Sequence, residues 1–65
     1  MTTLAVLAKY NKNRGVISWL FQVSNKGRHQ AVRDDGRVYS YASVEEMRQG
    51  YRKIRDEYHF IPLLA

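Results

Sequence analysis

The tetrapeptide Ser43-Val44-Glu45-Glu46 constrains this chain more than any other stretch. It has the form of a capping box, in which the Ser43 hydroxyl accepts from the Glu46 backbone N–H while the Glu46 carboxylate reaches back to the Ser43 N–H. Behind it Val44, Met47, Tyr51, Ile54 and Tyr58 recur at spacings of three and four and form one apolar stripe. The spacing predicts a helix over 43–58 with a single face to bury. Glu45 with Arg48, Arg52 with Asp56 and Lys53 with Glu57 are expected to pair along its outer side, leaving Arg55 as the unpaired cation. Gly50 interrupts the helix at about 1 kcal/mol relative to alanine. Close approach of a bulky sheet residue such as Trp19 is the expected reason.

Upstream of Ser43 the apolar period becomes two. From Val16 to Ser24, Ile17, Trp19, Phe21 and Val23 fall on one side and Ser18, Gln22 and Ser24, with Val16 and Leu20, on the other. This is the clearest strand, and it reads as central. Thr2 to Tyr10 alternates more loosely, with Leu4, Val6, Ala8 and Tyr10 opposite Thr3, Ala5, Leu7 and Lys9. Arg28 to Arg33 is a short polar strand that suits an edge or a functional surface, and Arg37 to Tyr41 is the last strand. Asn11 to Gly15, Asn25-Lys26-Gly27 and Asp34-Asp35-Gly36 separate them as turns. The Asp-Gly pair is the dipeptide that a two-residue type I′ hairpin prefers. Strands over 2–10, 16–24, 28–33 and 37–41, followed by one helix, predict an α+β domain spanning 1–65. Its sheet is expected to have three or four antiparallel strands, with the C-terminal helix packed on one face.

The tail from His59 to Ala65 is unusually apolar, and Pro62 prevents a helical continuation. It either folds back over the sheet edge or offers Phe60, Ile61, Leu63 and Leu64 to another chain. Sixty-five residues make one domain, and a chain of that size buries only about 60% of the surface its unfolded form exposes. A deep catalytic cleft is therefore not expected. Cysteine is absent, so neither a disulfide framework nor a thiolate metal site contributes, and stability must come from apolar packing or self-association. No apolar run approaches the roughly 20 residues that span a bilayer, and no signal-peptide pattern opens the chain. A cytoplasmic domain without membrane attachment is the expectation, and Met1 suggests a complete small protein.

The net charge of +5 is unevenly placed. Residues 1–33 hold six Lys and Arg and no acid, whereas residues 34–65 hold five basic and six acidic residues. Such asymmetry points to an electrostatic surface for an anionic partner. The expected surface is the sheet face opposite the helix with its hairpins, carrying Lys9, Arg14, Lys26, Arg28, Arg33 and Arg37 among Ser18, Gln22, Gln30 and Tyr39. Lys and Arg would contact phosphates while polar and aromatic groups meet bases. Nucleic acid is the expected partner, DNA ahead of RNA, although cations at hairpins also guard strand edges against aggregation. The alternative is a protein-interaction or inhibitor module, of the kind found as small phage or plasmid accessory proteins. It would dock through Phe60, Ile61, Leu63 and Leu64 or a strand edge, as a homodimer or on a larger protein.

Enzyme motifs are missing. Neither a Walker-type nor a dinucleotide glycine pattern occurs, and His29 and His59 stand apart from any second ligand at metal spacing. Asp34 and Asp35 fit a hairpin turn, and Glu45 and Glu46 fit a first helical turn, where the helix dipole favours anions. No catalytic activity, cofactor or metal is expected.

Two resemblances follow from these residues. The stretch from Trp19 to Arg55, with Phe21-Gln22-Val23, the Gly27 turn, Asp35-Gly36 and Tyr41-Ala42-Ser43 opening a helix that contains Gly50 and Ile54-Arg55, resembles the small YegP-like modules of unknown function. Those modules usually carry an aromatic and Arg pattern on the second strand and occur in tandem. Here that strand reads Arg28-His29-Gln30-Ala31-Val32, in a single copy with an added leading strand. The resemblance implies a strand-strand-strand-helix unit and no activity. In layout the chain is similar to the amino-terminal DNA-binding domains of tyrosine integrases, with Asp35-Gly36-Arg37-Val38-Tyr39-Ser40-Tyr41 resembling their hairpin. That likeness implies a sheet face that enters the DNA major groove.

Overall fold

The computed structural model describes residues 1–64, so Ala65 of the apolar tail lies outside the described residues. The chain runs β1 (Thr2–Asn11), β2 (Gly15–Val23), β3 (His29–Arg33), β4 (Val38–Tyr41), α1 (Val44–Glu57) and β5 (Ile61–Leu64). The sheet is antiparallel with strand order β4-β3-β2-β1-β5. The α+β layout with one helix on one face is as expected, and β2 is central. The sheet has five strands rather than three or four, because the tail pairs with β1 and adds a short edge. Pro62 is tolerated there, since an edge strand leaves one side of its backbone without a ladder partner.

β3 is not an edge. It lies between β2 and β4, and Ala31 at its middle is fully buried beneath the helix. Its polar neighbours are accommodated at the strand ends and on the uncovered side. The turn between β3 and β4 also departs from the type I′ expectation. Arg33 N–H donates to the Arg37 carbonyl (2.8 Å) and Gly36 N–H to the Arg33 carbonyl (3.0 Å), closing a three-residue loop. Only Gly36 in it has a positive φ (+93°), as a type I turn followed by a left-handed residue requires.

The capping box forms with one change. Ser43 Oγ accepts from Glu46 N–H at 3.2 Å, but Glu46 Oε2 accepts from Ala42 N–H (3.0 Å) rather than from Ser43. Along the stripe Met47 and Ile54 are buried, Tyr51 is half-buried, and the terminal Val44 and Tyr58 remain exposed. Met47 and Ile54 join Ala5, Leu7, Phe21 and Ala31 in the core, where Tyr51 meets Phe21 edge-on at 5.4 Å. The outer charges pair only in part as expected. Arg48 meets Glu45 (3.5 Å), but Arg55 takes Asp56 in a two-pronged contact (2.8 and 3.2 Å). Among the described residues Arg52 and Lys53 form no ion pair. The helix ends at Tyr58, followed by His59 in the left-handed region (φ 58°).

Register decides what each face carries. Leu7 stands opposite Trp19, Lys9 opposite Ile17, Arg33 opposite Trp19 and Tyr39 opposite Ala31, so all share the helix side. The uncovered side receives Thr3, Val6, Ala8 and Tyr10 from β1 and Val16, Ser18, Leu20 and Gln22 from β2. Gln30 and Val32 come from β3, Val38 and Ser40 from β4, and Ile61 and Leu64 from β5. Among the described residues no Lys, Arg, Asp or Glu occupies a strand position on that side. The uncovered face is therefore neutral, contrary to the basic face expected from the sequence.

Candidate functional site

Three cations lie instead in a groove on the helix side, between the C-terminal half of α1 and the hairpin ends of the strands. Its volume is about 610 Å³. Lys9, Arg33 and Lys53 supply charge, and Trp19, Tyr39, Tyr41, Tyr58 and Phe60 supply aromatic surface. Among the described residues that line it there is no carboxylate.

Each element contributes through its periodicity. Lys9 follows Leu7 by two residues on β1, so the side chain that points helix-ward after the buried leucine is the lysine. Lys9 Nζ donates to the Tyr58 carbonyl (2.7 Å) and lies 5.8 Å from the centre of the Phe60 ring. A cation at the last carbonyls of a helix is favoured by their partial negative charge. Phe60 itself packs against the core and lines the groove. Trp19 and Tyr39 tilt against each other at 5.3 Å, and the Arg33 guanidinium stands 5.8 Å from the Trp19 ring.

Arg33 Nε is buried without a hydrogen bond. Its carboxylate neighbours, Asp35 at 3.7 Å and Asp34 at 4.0 Å, approach from the turn but at ion-pair rather than hydrogen-bond distance. Asp35 also pairs with Arg37 (3.4 Å) and accepts from the Arg37 N–H (3.1 Å). That backbone hydrogen bond, with the charges of Arg33, Arg37 and Arg14, holds the Asp35 carboxyl below its ordinary value. Arg14 therefore belongs to the same end of the molecule, brought there by the β1–β2 hairpin. Burial, with Tyr39 nearby, pushes the Tyr41 phenol up.

Of the predicted nucleic-acid contacts, Lys9, Arg33 and Tyr39 line the groove, and Arg14 and Arg37 flank it on exposed hairpins. Lys26 and Arg28 do not join them. They sit on the β2–β3 hairpin, where Ser24 N–H donates to the Arg28 carbonyl, at the opposite end of the strands. Of the predicted protein contacts, Phe60 packs against the core, whereas Ile61, Leu63 and Leu64 are exposed on the β5 edge. Lys53, Trp19, Tyr41 and Tyr58 are site residues that the sequence reading does not mark. The parity of Lys9 with Leu7, together with the hairpin register that sets Arg33 beside Trp19, is the signal that finds this groove.

Among the described residues no group of three or more His, Asp or Glu could hold a metal ion, and no helix is long and apolar enough to cross a membrane. No family model, characterised protein or solved structure matches the chain.

Proposed function

We propose that this domain is a non-enzymatic binder of single-stranded nucleic acid, DNA in the first instance, and that the strand lies in the groove between α1 and the sheet. The observation that carries the reading is the combination of three cations and five aromatic rings in one groove without a lining carboxylate. Aromatic faces stack on unpaired bases whatever their identity, and cations beside them follow the phosphates. A duplex keeps its base faces stacked inside and offers such a groove nothing to stack on. The neutral uncovered face lacks the phosphate contacts that entry into a major groove needs. Arg14 and Arg37 extend the cationic track beyond the groove mouth.

Trp19 is the chain's single tryptophan, so its fluorescence reports on the groove directly. Titration with an oligothymidylate is expected to quench it, with affinity falling as salt rises. Three to five phosphate contacts give a log–log slope of roughly −2 to −3.5 on a single strand. Lys53→Glu, at an exposed helical position, is expected to weaken binding by about tenfold or more, corresponding to about 1.4 kcal/mol. Lys26→Glu at the far hairpin is expected to change it much less. No quenching at low salt, or equal losses for both variants, contradicts the proposal.

A further inference from the structure

The uncovered sheet face is a second surface, independent of the groove. We infer that it is the interface of a symmetric homodimer in which two copies stack these faces against each other. Its outer positions are apolar and open: Tyr10 is 74% exposed, Val16 65%, Val38 55% and Ile61 64%. Between them Leu20 and Val32 are half-buried. The polar groups are neutral, and Gln22 is already turned to Gln30 (3.4 Å).

Charge selects the occupant. Each copy carries +5, yet among the described residues no charged side chain stands at a strand position of this face. A second copy can therefore stack here without burying an unpaired ion, which is the main cost at an apolar interface. An acidic partner would find no cation to meet on the strands. Area is consistent with the same occupant. With strands about 4.8 Å apart and a rise of about 3.3 Å per residue, a sheet of these lengths has a face of roughly 500 Å². Two such faces reach the roughly 1,000 Å² at which specific interfaces begin. Aligned sheet packing at about 10 Å separation would bury Leu20 and Val32 at the centre. It also gives a small domain the second apolar layer that one helix does not provide.

Both grooves would then face outward, leaving strand binding and pairing separable. Their salt responses should be opposite: screening relieves repulsion between two positive copies and strengthens the dimer, whereas it weakens phosphate contacts. Sedimentation equilibrium of the intact chain, from low micromolar to several hundred micromolar, tests this. The expected result is a reversible monomer–dimer equilibrium that shifts toward dimer with salt. Val16→Lys and Val38→Lys place a charge at exposed positions that the fold itself tolerates, and each is expected to raise the dissociation constant by about tenfold or more. Their far-UV circular dichroism should match the wild type, and Gln49→Lys, which adds the same charge at an exposed position of the helix, should change pairing far less. A monomer throughout the range overturns the inference and leaves the face to a different protein. A dimer indifferent to both valine substitutions overturns it equally, because another surface would then be pairing.

Discussion

A Cβ added at Gly50 would stand 2.6 Å from the Tyr41 hydroxyl and 3.0 Å from two of its ring carbons. The glycine therefore lets the hydroxyl end of the Tyr41 ring come close against the helix in the groove. Close approach was the right expectation for Gly50, but the neighbour is Tyr41 and not Trp19. The helix packs over β3 and β4, and that crossing direction is a tertiary property no local pattern contains. The physical sign of a substitution follows. Gly50→Ala would gain about 1 kcal/mol of helix propensity in isolation, but displacing a packed ring costs about 1–3 kcal/mol. Urea unfolding is expected to show a net loss of about 1 kcal/mol for Gly50→Ala. In a Tyr41→Leu background the same change should become stabilising. Stabilisation of the wild-type chain by Gly50→Ala would show that the ring is not held there.

At the scale of elements, the strands that alternate cleanly and the helix with its cap were legible, because their signals are local. β2 buries Phe21 under the helix, as its period of two indicates, and Ser43 caps α1. What was not legible depends on partners distant in sequence. Ile61-Pro62-Leu63-Leu64 has no alternation and contains a proline, so it becomes a strand only because β1 offers it an edge. β3 reads as polar, yet pairing on both sides places Ala31 in the core. The β3–β4 hairpin carries its own pH dependence through Asp35. Its pKa is lowered in the folded chain, first by the Arg37 N–H. The lowered value means that Asp35 adds stability above the ordinary carboxyl range, and that this contribution is lost as pH falls through the folded value. Denaturation midpoints of the wild type and Asp35→Asn should differ at pH 6 and converge below about pH 4, where carboxyls protonate. A constant difference down to pH 2.5 would contradict a role for the ionised carboxylate.

Across the whole molecule, the charge asymmetry of the sequence becomes a division between faces and ends. The cations of the first half are not spread over the uncovered sheet. Lys9 and Arg33 turn toward the helix, Arg14 and Arg37 extend from the same end, and Lys26 and Arg28 occupy the other. The uncovered face is left neutral. The segregation of charge was legible as a bias along the chain. Its location was not, because a strand's parity assigns a side chain to a face only after the hairpin register is known. The proposed function rests on this location, with bases stacking among Trp19, Tyr39 and Phe60 while Lys9, Arg33 and Lys53 meet phosphates. Heteronuclear NMR of the isotope-labelled chain, titrated with an unlabelled single-stranded oligonucleotide, tests it most directly. The account predicts that shift changes concentrate at Lys9, Trp19, Arg33, Tyr39, Lys53 and Phe60 and leave Lys26, Arg28, Val32 and Val38 nearly unmoved. Changes centred on the uncovered face or the far hairpin, or none at all, would contradict it.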